Sequence, residues 1–410
     1  MGDVVSHASL AARLGRGAGD LVRSQVEAGG VPHVRMLVSV GDTVALDVCA
    51  GAARAGGEAL APGALFRIAS MSKPIAVAAF LALVERGLVA LDTPVADIVP
   101  EMAAPRVWTG EAPSGGLLPT RPARRTMRMI DLLRHTSGLS YGFHRRTPVD
   151  ALYEEADLDD YHRRRTSDDY AAALAGMPLA FEPGEGFCYS LSTDLLGIVL
   201  ERLTGEPLDA VLEKVVLGPL AMVDTGFRIA PDQADRLTDA WLAGAGGARS
   251  LYDRGERSRW RLPRKSWSAG GGLLSSAEDY HRFLRMLARG GELDGRRILS
   301  PESVALMLRN QLPSGGDLER EGCLPLSETG TKGIGMGLGG AVLLDPSAAG
   351  EKGAAGSYYW GGILSTGFFL DPARQLIGIV MTQVLPSSAT RLREEFRAMV
   401  EGAWEGWTNE

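Results

Sequence analysis

The apolar and polar positions of the chain change their period several times, and those changes outline its elements. A 3.6-residue repeat over Ala8 to Ala28 predicts an amphipathic helix ending at Gly29-Gly30. Two alternating runs follow, Val34 to Val40 and Thr43 to Cys49, and the Gly41-Asp42 step between them predicts a hairpin. After the short strand-like run Leu65 to Ala69 comes an almost wholly apolar helix, Pro74 to Arg86. Helical spacing then dominates: Met129 to His135, Asp168 to Ala175, Asp194 to Thr204 and Pro207 to Val216, followed by Ser276 to Ala288 and Pro301 to Asn310. The runs Gly335 to Leu344, Tyr358 to Leu370 and Gln375 to Val384 read as consecutive strands ahead of a last helix, Ala389 to Trp404.

Strands therefore gather at both ends of the chain and helices in its middle. This predicts an α/β (α+β) architecture with one sheet built from both termini and flanked by helices. The expected domains are a discontinuous sheet domain, 1–75 with 270–410, and an inserted all-helical domain over 76–269. A ligand cleft is expected between them. Val107 to Arg125 and Leu312 to Lys332 are Pro/Gly-rich and read as loops. Tyr141 to Tyr170 mixes aromatics with dense charge, including Glu154, Glu155, Asp157, Asp159, Asp160 and Arg163 to Arg165, and reads as a solvated excursion over the cleft.

Composition narrows the function. A net charge of −7 over 410 residues argues against nucleic acid as a partner, because phosphates demand a basic face. No stretch approaches eighteen apolar residues and Met1 to Arg23 has no secretory pattern, so a cytoplasmic protein without a membrane partner is expected. Cys49, Cys188 and Cys323 are odd in number and far apart, and the six histidines include no ligand pair; neither a disulfide framework nor a metal is expected.

Ser70-Met71-Ser72-Lys73 changes the picture most. Only five lysines occur in the chain, and this one stands three residues after a serine where a strand gives way to a helix. That spacing places both side chains on one helical face, about 5 to 6 Å apart at Cβ. A helix start also directs unpaired N–H groups and partial positive charge at a developing anion. The plainer alternative makes Ser70 a helix N-cap and Lys73 a solvated residue, yet a cation in a first turn opposes the macrodipole by ~0.3 to 1 kcal/mol. Ser-x-x-Lys acyl-transfer chemistry gives that lysine a purpose.

Other candidates combine with this pair. Tyr189 lies just ahead of the helix near Asp194, and a nearby lysine can favour its phenolate. Trp360-Gly361-Gly362-Ile363 opens a strand, and paired glycines there indicate a close approach to the backbone. If a substrate carbonyl is what approaches, the N–H just past Gly362 can donate to an oxyanion. Gly138-Leu139-Ser140-Tyr141-Gly142 fits the Gly-x-Ser-x-Gly nucleophile pattern but follows a helix rather than a strand, and His135 reads as a structural residue of the His-Thr-Ser-Gly turn.

The order and spacing of Ser70-x-x-Lys73, the Tyr189 block and Trp360-Gly361-Gly362 resemble the serine β-lactamase and penicillin-binding-protein superfamily, most closely its family VIII carboxylesterases. Phe66 to Pro74, Leu132 to Ser140, and Ala269 to Leu273 with Ser275 to Asp279 extend the likeness. The resemblance implies a β-lactamase-like fold with an antiparallel sheet, an acyl-Ser70 intermediate, proton transfer through Lys73 and Tyr189, an oxyanion hole from the N–H groups of Ser70 and Ile363, and no cofactor. It also implies substrate contacts from Trp360, Gly361, Gly362 and Leu191. Leu191 replaces an amide-bearing asparagine and Trp360 a cationic lysine, which favours neutral esters over β-lactams. The expected function is ester hydrolysis. Acyl transfer to an alcohol or amine is the alternative; a β-lactamase, a D-aminopeptidase or a silent binding protein rank below both.

Overall fold

Hairpins and one long-range pairing build the main sheet. Its strands are β1 (His33–Val40), β2 (Thr43–Gly51), β3 (Ile334–Met336), β4 (Ala341–Leu343), β5 (Tyr358–Gly361), β6 (Gly367–Asp371) and β7 (Leu376–Met381). Their spatial order is β3-β4-β5-β6-β7-β1-β2, antiparallel throughout, and the Arg35↔Met381 register joins the two chain ends. The computed structural model describes residues 2–112, 117–161, 164–322 and 330–408; Cys323, Arg163 and parts of the two Pro/Gly-rich loops lie outside them.

One sheet from both termini was the expectation, but the C-terminal runs are subdivided. Gly335 to Leu344 folds as a hairpin, β3 and β4, because Gly339 turns the backbone at φ +79°. Tyr358 to Leu370 likewise becomes β5 and β6, turning at Ser365 with φ +65°. A left-handed residue cannot continue an extended strand, so each run breaks there. Val384–Leu385 leaves the main sheet and pairs in parallel with Ala240–Ala243.

Five helices matter for the site: α1 (Gly2–Leu21), α2 (Ser72–Glu85), α3 (Ser192–Thr204), α4 (Ala277–Ala288) and α5 (Leu392–Thr408). Past Leu21 the first helix widens into a π turn, Val22–Glu27. Alternation along β5 and β6 points Tyr359, Gly361, Gly367 and Phe369 toward α5, where Phe369 meets Phe396 at 6.1 Å, and Tyr358, Trp360 and Phe368 toward α4, where Phe368 meets Tyr280 at 5.2 Å. The middle of the chain is mainly helical. It also carries two short antiparallel pairs, Arg106–Trp108 with Thr120–Pro122 and Ala240–Ala243 with Arg249–Asp253, too brief for a period-2 pattern to mark.

Every residue of α2 from Ser72 to Leu83 is buried, as a helix apolar on all sides requires. Just ahead of it, Arg67 lies fully buried on a strand, Phe66–Arg67, that pairs with Leu274–Ser275. Its guanidinium binds Asp253, with Nε 2.8 Å from Oδ2, and Nη1 donates to the Thr238 carbonyl at 2.7 Å. Removing one partner strands a buried charge at a cost of about 3 to 5 kcal/mol. Asp253→Ala should therefore lower the urea midpoint sharply. Glu394→Ala, which breaks an exposed pair with Arg391, should change stability by under ~1 kcal/mol.

Candidate active site

Between the strand Phe66–Arg67 and α2 the chain makes a single 3₁₀ turn, Ala69–Met71. Ala69 takes φ 44°, a left-handed conformation that costs a residue with a Cβ about 1 to 3 kcal/mol. Neighbouring bonds hold it: Ser72 Oγ donates to the Ala69 carbonyl at 2.7 Å and accepts from the Leu273 N–H at 3.2 Å, while the Ile68 N–H donates to the Leu273 carbonyl at 3.1 Å. Ser70 thus sits on a constrained turn immediately before the helix. The N-cap position belongs to Met71.

Lys73 is completely buried, which rules out a solvated role. Its Nζ donates to the Gly270 carbonyl at 2.7 Å and to the Tyr141 hydroxyl at 3.1 Å, and lies 3.5 Å from Ser70 Oγ. Three protons on the ammonium thus face three oxygens. Asp194, in the first turn of α3, fixes the first of these oxygens: its Oδ1 accepts from Ser268 Oγ at 2.6 Å and from the Gly270 N–H at 3.3 Å.

Two tyrosines flank the lysine. The Tyr189 ring lies with its centroid 4.7 Å from Nζ, within cation–π range, and packs 5.3 Å from Trp360 and 4.9 Å from His135. Tyr141, read from sequence as the start of a solvated excursion, is instead buried and makes the direct hydrogen bond to Lys73. Burial, followed by the nearby Tyr189 and Asp194, pushes its phenol well above the usual tyrosine range, so it stays protonated. Val149, Tyr153, Leu158 and Tyr170 of the same segment are also buried; Glu154, Glu155, Asp157 and Arg164 are solvated in the expected manner, whereas Asp150 is buried and Asp159 half-buried. Asp159 anchors the turn after Tyr141 by accepting from the Gly142 and Phe143 N–H groups at 3.1 and 2.8 Å. Burial outweighs those bonds and raises its carboxyl to about 6.

The rival residues have structural partners. Ser140 is fully buried and donates to Asp150 Oδ1 at 2.6 Å, so Gly138 to Gly142 forms no exposed elbow. His135 Nδ1 accepts from the Ser190 N–H at 3.3 Å, tying the His-Thr-Ser-Gly turn to the Tyr189 block. Burial first, and the Lys73 and His144 charges next, keep its ring well below the usual histidine range and neutral.

The paired glycines do mark close approach, but the approaching groups are the protein's own. A Cβ on Gly362 would come within 2.5 Å of the Ile68 carbonyl, and one on Gly361 would collide with the Arg393 guanidinium. The Gly362 N–H closes the hairpin onto the Thr366 carbonyl at 2.9 Å, with Ile363 following in the turn. Arg393 brings a cation to the α5 side of this strand; the opposite side carries the fully buried Trp360, packed on Tyr189. Leu191 is also buried and begins α3, its N–H donating to the Ser140 carbonyl at 3.3 Å. The structure thus gathers Ser70, Lys73, Tyr189, Trp360 and the Gly361 to Ile363 turn, and puts Leu191 in the core beside them. It adds Tyr141, Gly270 and Asp194. A cavity of about 720 Å³ lies behind this strand, between the sheet and α5. Among the described residues no His, Cys, Asp or Glu cluster could hold a metal.

The match to known proteins covers almost the whole chain. Residues 18–401 fit the family model described as beta-lactamase. The chain belongs to the beta-lactamase family. A protein of Mycobacterium tuberculosis is 37% identical over 334 residues, 78% of each chain, and esterase EstB of Burkholderia gladioli is 34% identical over 344 residues, 80% of each. Among solved structures, EstCE1, described as a hydrolase with promiscuous acyltransferase activity, superposes with a TM-score of 0.80 at 25% identity, covering 97% of this chain and all of its own. In this beta-lactamase-family protein, Tyr141→Phe should lower the single-turnover acylation rate on an aryl ester by at least tenfold with little change in melting temperature. An undiminished rate would confine Tyr141 to packing.

Proposed function

We propose that the protein is a serine carboxylesterase working through an acyl-Ser70 intermediate. The observation that carries this reading is the buried Lys73 ammonium, held within 3.5 Å of a serine on a constrained turn in a chain 34% identical to an esterase. Ser70 Oγ attacks the ester carbonyl carbon while its proton passes to the Tyr189 oxygen, which enters the step as the phenolate that the Lys73 ammonium favours, with Tyr141 bonded to the lysine. The N–H groups of Ser70 and Ile363 stabilise the oxyanion, each donor contributing on the order of 10² to 10³ in rate. The carbon–alkoxy bond then breaks and Tyr189 passes the proton to the departing alkoxide. Water attacks the acyl-enzyme, releases the acid and restores Ser70.

Acyl transfer is the second reading. Ser70, Tyr189 and Trp360 are all at most 4% exposed, an enclosure that restricts water, and the EstCE1 description supports acyl movement to another acceptor. Incubating the acyl-enzyme with an alcohol in competition with water separates the two by their products.

Ser70→Ala should abolish turnover of a short aryl ester and Ser140→Ala should retain most of it; retained activity in Ser70→Ala would remove the central assignment. Lys73→Ala and Tyr189→Phe should each cost several orders of magnitude and the double variant little more, because groups serving one proton transfer are not additive.

Neutral esters are the expected substrates. Leu191 offers no amide and Trp360 no cation on the side facing Tyr189, and such charge-assisted contacts are worth ~1.5 to 3 kcal/mol each. The value of kcat/KM for an aryl butyrate should exceed that for benzylpenicillin by at least 10²-fold. Parity would overturn the substrate class and leave the nucleophile standing.

A further inference from the structure

We infer that the segment from Ala240 to Lys265 docks the protein on anionic lipid bilayers. This surface was not expected, since the absence of a long apolar stretch bears only on spanning a membrane. Between Arg249 and Lys265 the chain holds seven of its 43 basic residues and two of its 50 acidic ones. One of those acids, Asp253, is withdrawn from the surface by its pair with buried Arg67. Arg254, Arg257, Arg259, Arg261 and Lys265 are exposed, and no carboxylate of the described residues pairs with them. The other acid, Glu256, is turned to Arg54, so a protein of net charge −7 carries a segment of the opposite sign.

The same segment is apolar at its crests, and the Arg259 guanidinium lies 6.0 Å from the centre of the Tyr252 ring. Leu262 is 58% exposed, Leu242 42% and Tyr252 36%. Leu242 pairs with Ser250 across the hairpin, and Ser250 and Tyr252 alternate outward together, so Leu242 and Tyr252 project from one side. The turns beyond are rooted from beneath: Ser258 Oγ donates to Asp253 Oδ2 at 2.6 Å, and buried Trp260 donates from Nε1 to the Gly272 carbonyl at 2.9 Å. With Ser258 and Trp260 inward, Arg257, Arg259, Arg261 and Leu262 point outward.

Cations around exposed Leu and Tyr suit a bilayer: the cations meet anionic headgroups while the apolar side chains and the tyrosine enter the interface. A soluble polyanion would gain nothing from Leu262 or Leu242. The segment then runs on to Ser268 and Gly270, beside Lys73, so docking turns this side of the active-site region toward the lipid.

Sedimentation of the full chain with phosphatidylcholine vesicles, with and without phosphatidylglycerol, tests the inference. Wild type should partition onto the anionic vesicles at least tenfold more than onto the neutral ones, and high salt should release it. At about fivefold per cation near such a surface, Arg257→Glu/Arg259→Glu/Arg261→Glu should reduce partitioning by roughly 10²-fold or more. Leu262→Ser/Tyr252→Ser should also weaken it, and unchanged aryl-ester turnover in both variants establishes that they are folded. Equal partitioning onto both vesicle types, or undiminished binding by the charge-reversal variant, would overturn the inference. So would sedimentation without vesicles, which marks self-association, or binding indifferent to Leu262 and Tyr252 and abolished by heparin, which marks a soluble polyanion.

Discussion

A buried ammonium needs an oxygen for each of its protons, and meeting that need for Lys73 organises the centre of this protein. Helix α2, apolar on every side, gives the lysine no solvent to reach. Of its three oxygen neighbours, Gly270 and Tyr141 come from distant parts of the chain and Ser70 from the turn just before the helix. Each brings its own support. Asp194 holds Gly270, Asp159 holds the turn after Tyr141, and the Ser72 and Leu273 bonds hold the strained turn at Ala69. The lysine is therefore where the sheet, the glycine run and the charged segment meet.

The surroundings of that charge are aromatic. Tyr189, Tyr141, Trp360 and His135 pack around it, and Phe143 stacks on Tyr141 at 4.5 Å. Such a wall lowers the local dielectric and strengthens every hydrogen bond within it. It also suits an acyl or alcohol group without charge, in keeping with the position of Trp360 opposite the α5 side where Arg393 lies.

Much of this was legible in the sequence because it rests on local spacing. Ser70 and Lys73 declare themselves by three residues at a strand-to-helix junction, and β1 and β2 by alternation around Gly41-Asp42. Tyr141 was hidden because it opens a run of charges, and the charges suggested solvent although Val149, Tyr153, Leu158 and Tyr170 among them are buried. Asp194 and Gly270 act through a contact 76 residues apart in the chain, which no period encodes. The glycines of the Trp360-Gly361-Gly362 turn announced a close approach without saying by what; Ile68 and Arg393 answer that only in three dimensions. The left-handed backbone of Ala69 leaves no mark on composition at all.

The pairing of β1 with β7 has a consequence for synthesis. Val38 and Leu37 meet Gly378 and Ile379, so the inner edge of the first hairpin has no partner until nearly the whole chain exists. At a translation rate of about 5 to 20 residues per second that interval is roughly 20 to 70 s. Throughout it the ribosome carries an apolar strand with an open edge, the feature most prone to pair with another nascent chain. Yield in a host cell then depends on how well that strand is sheltered, by chaperones or low temperature, before its partner emerges.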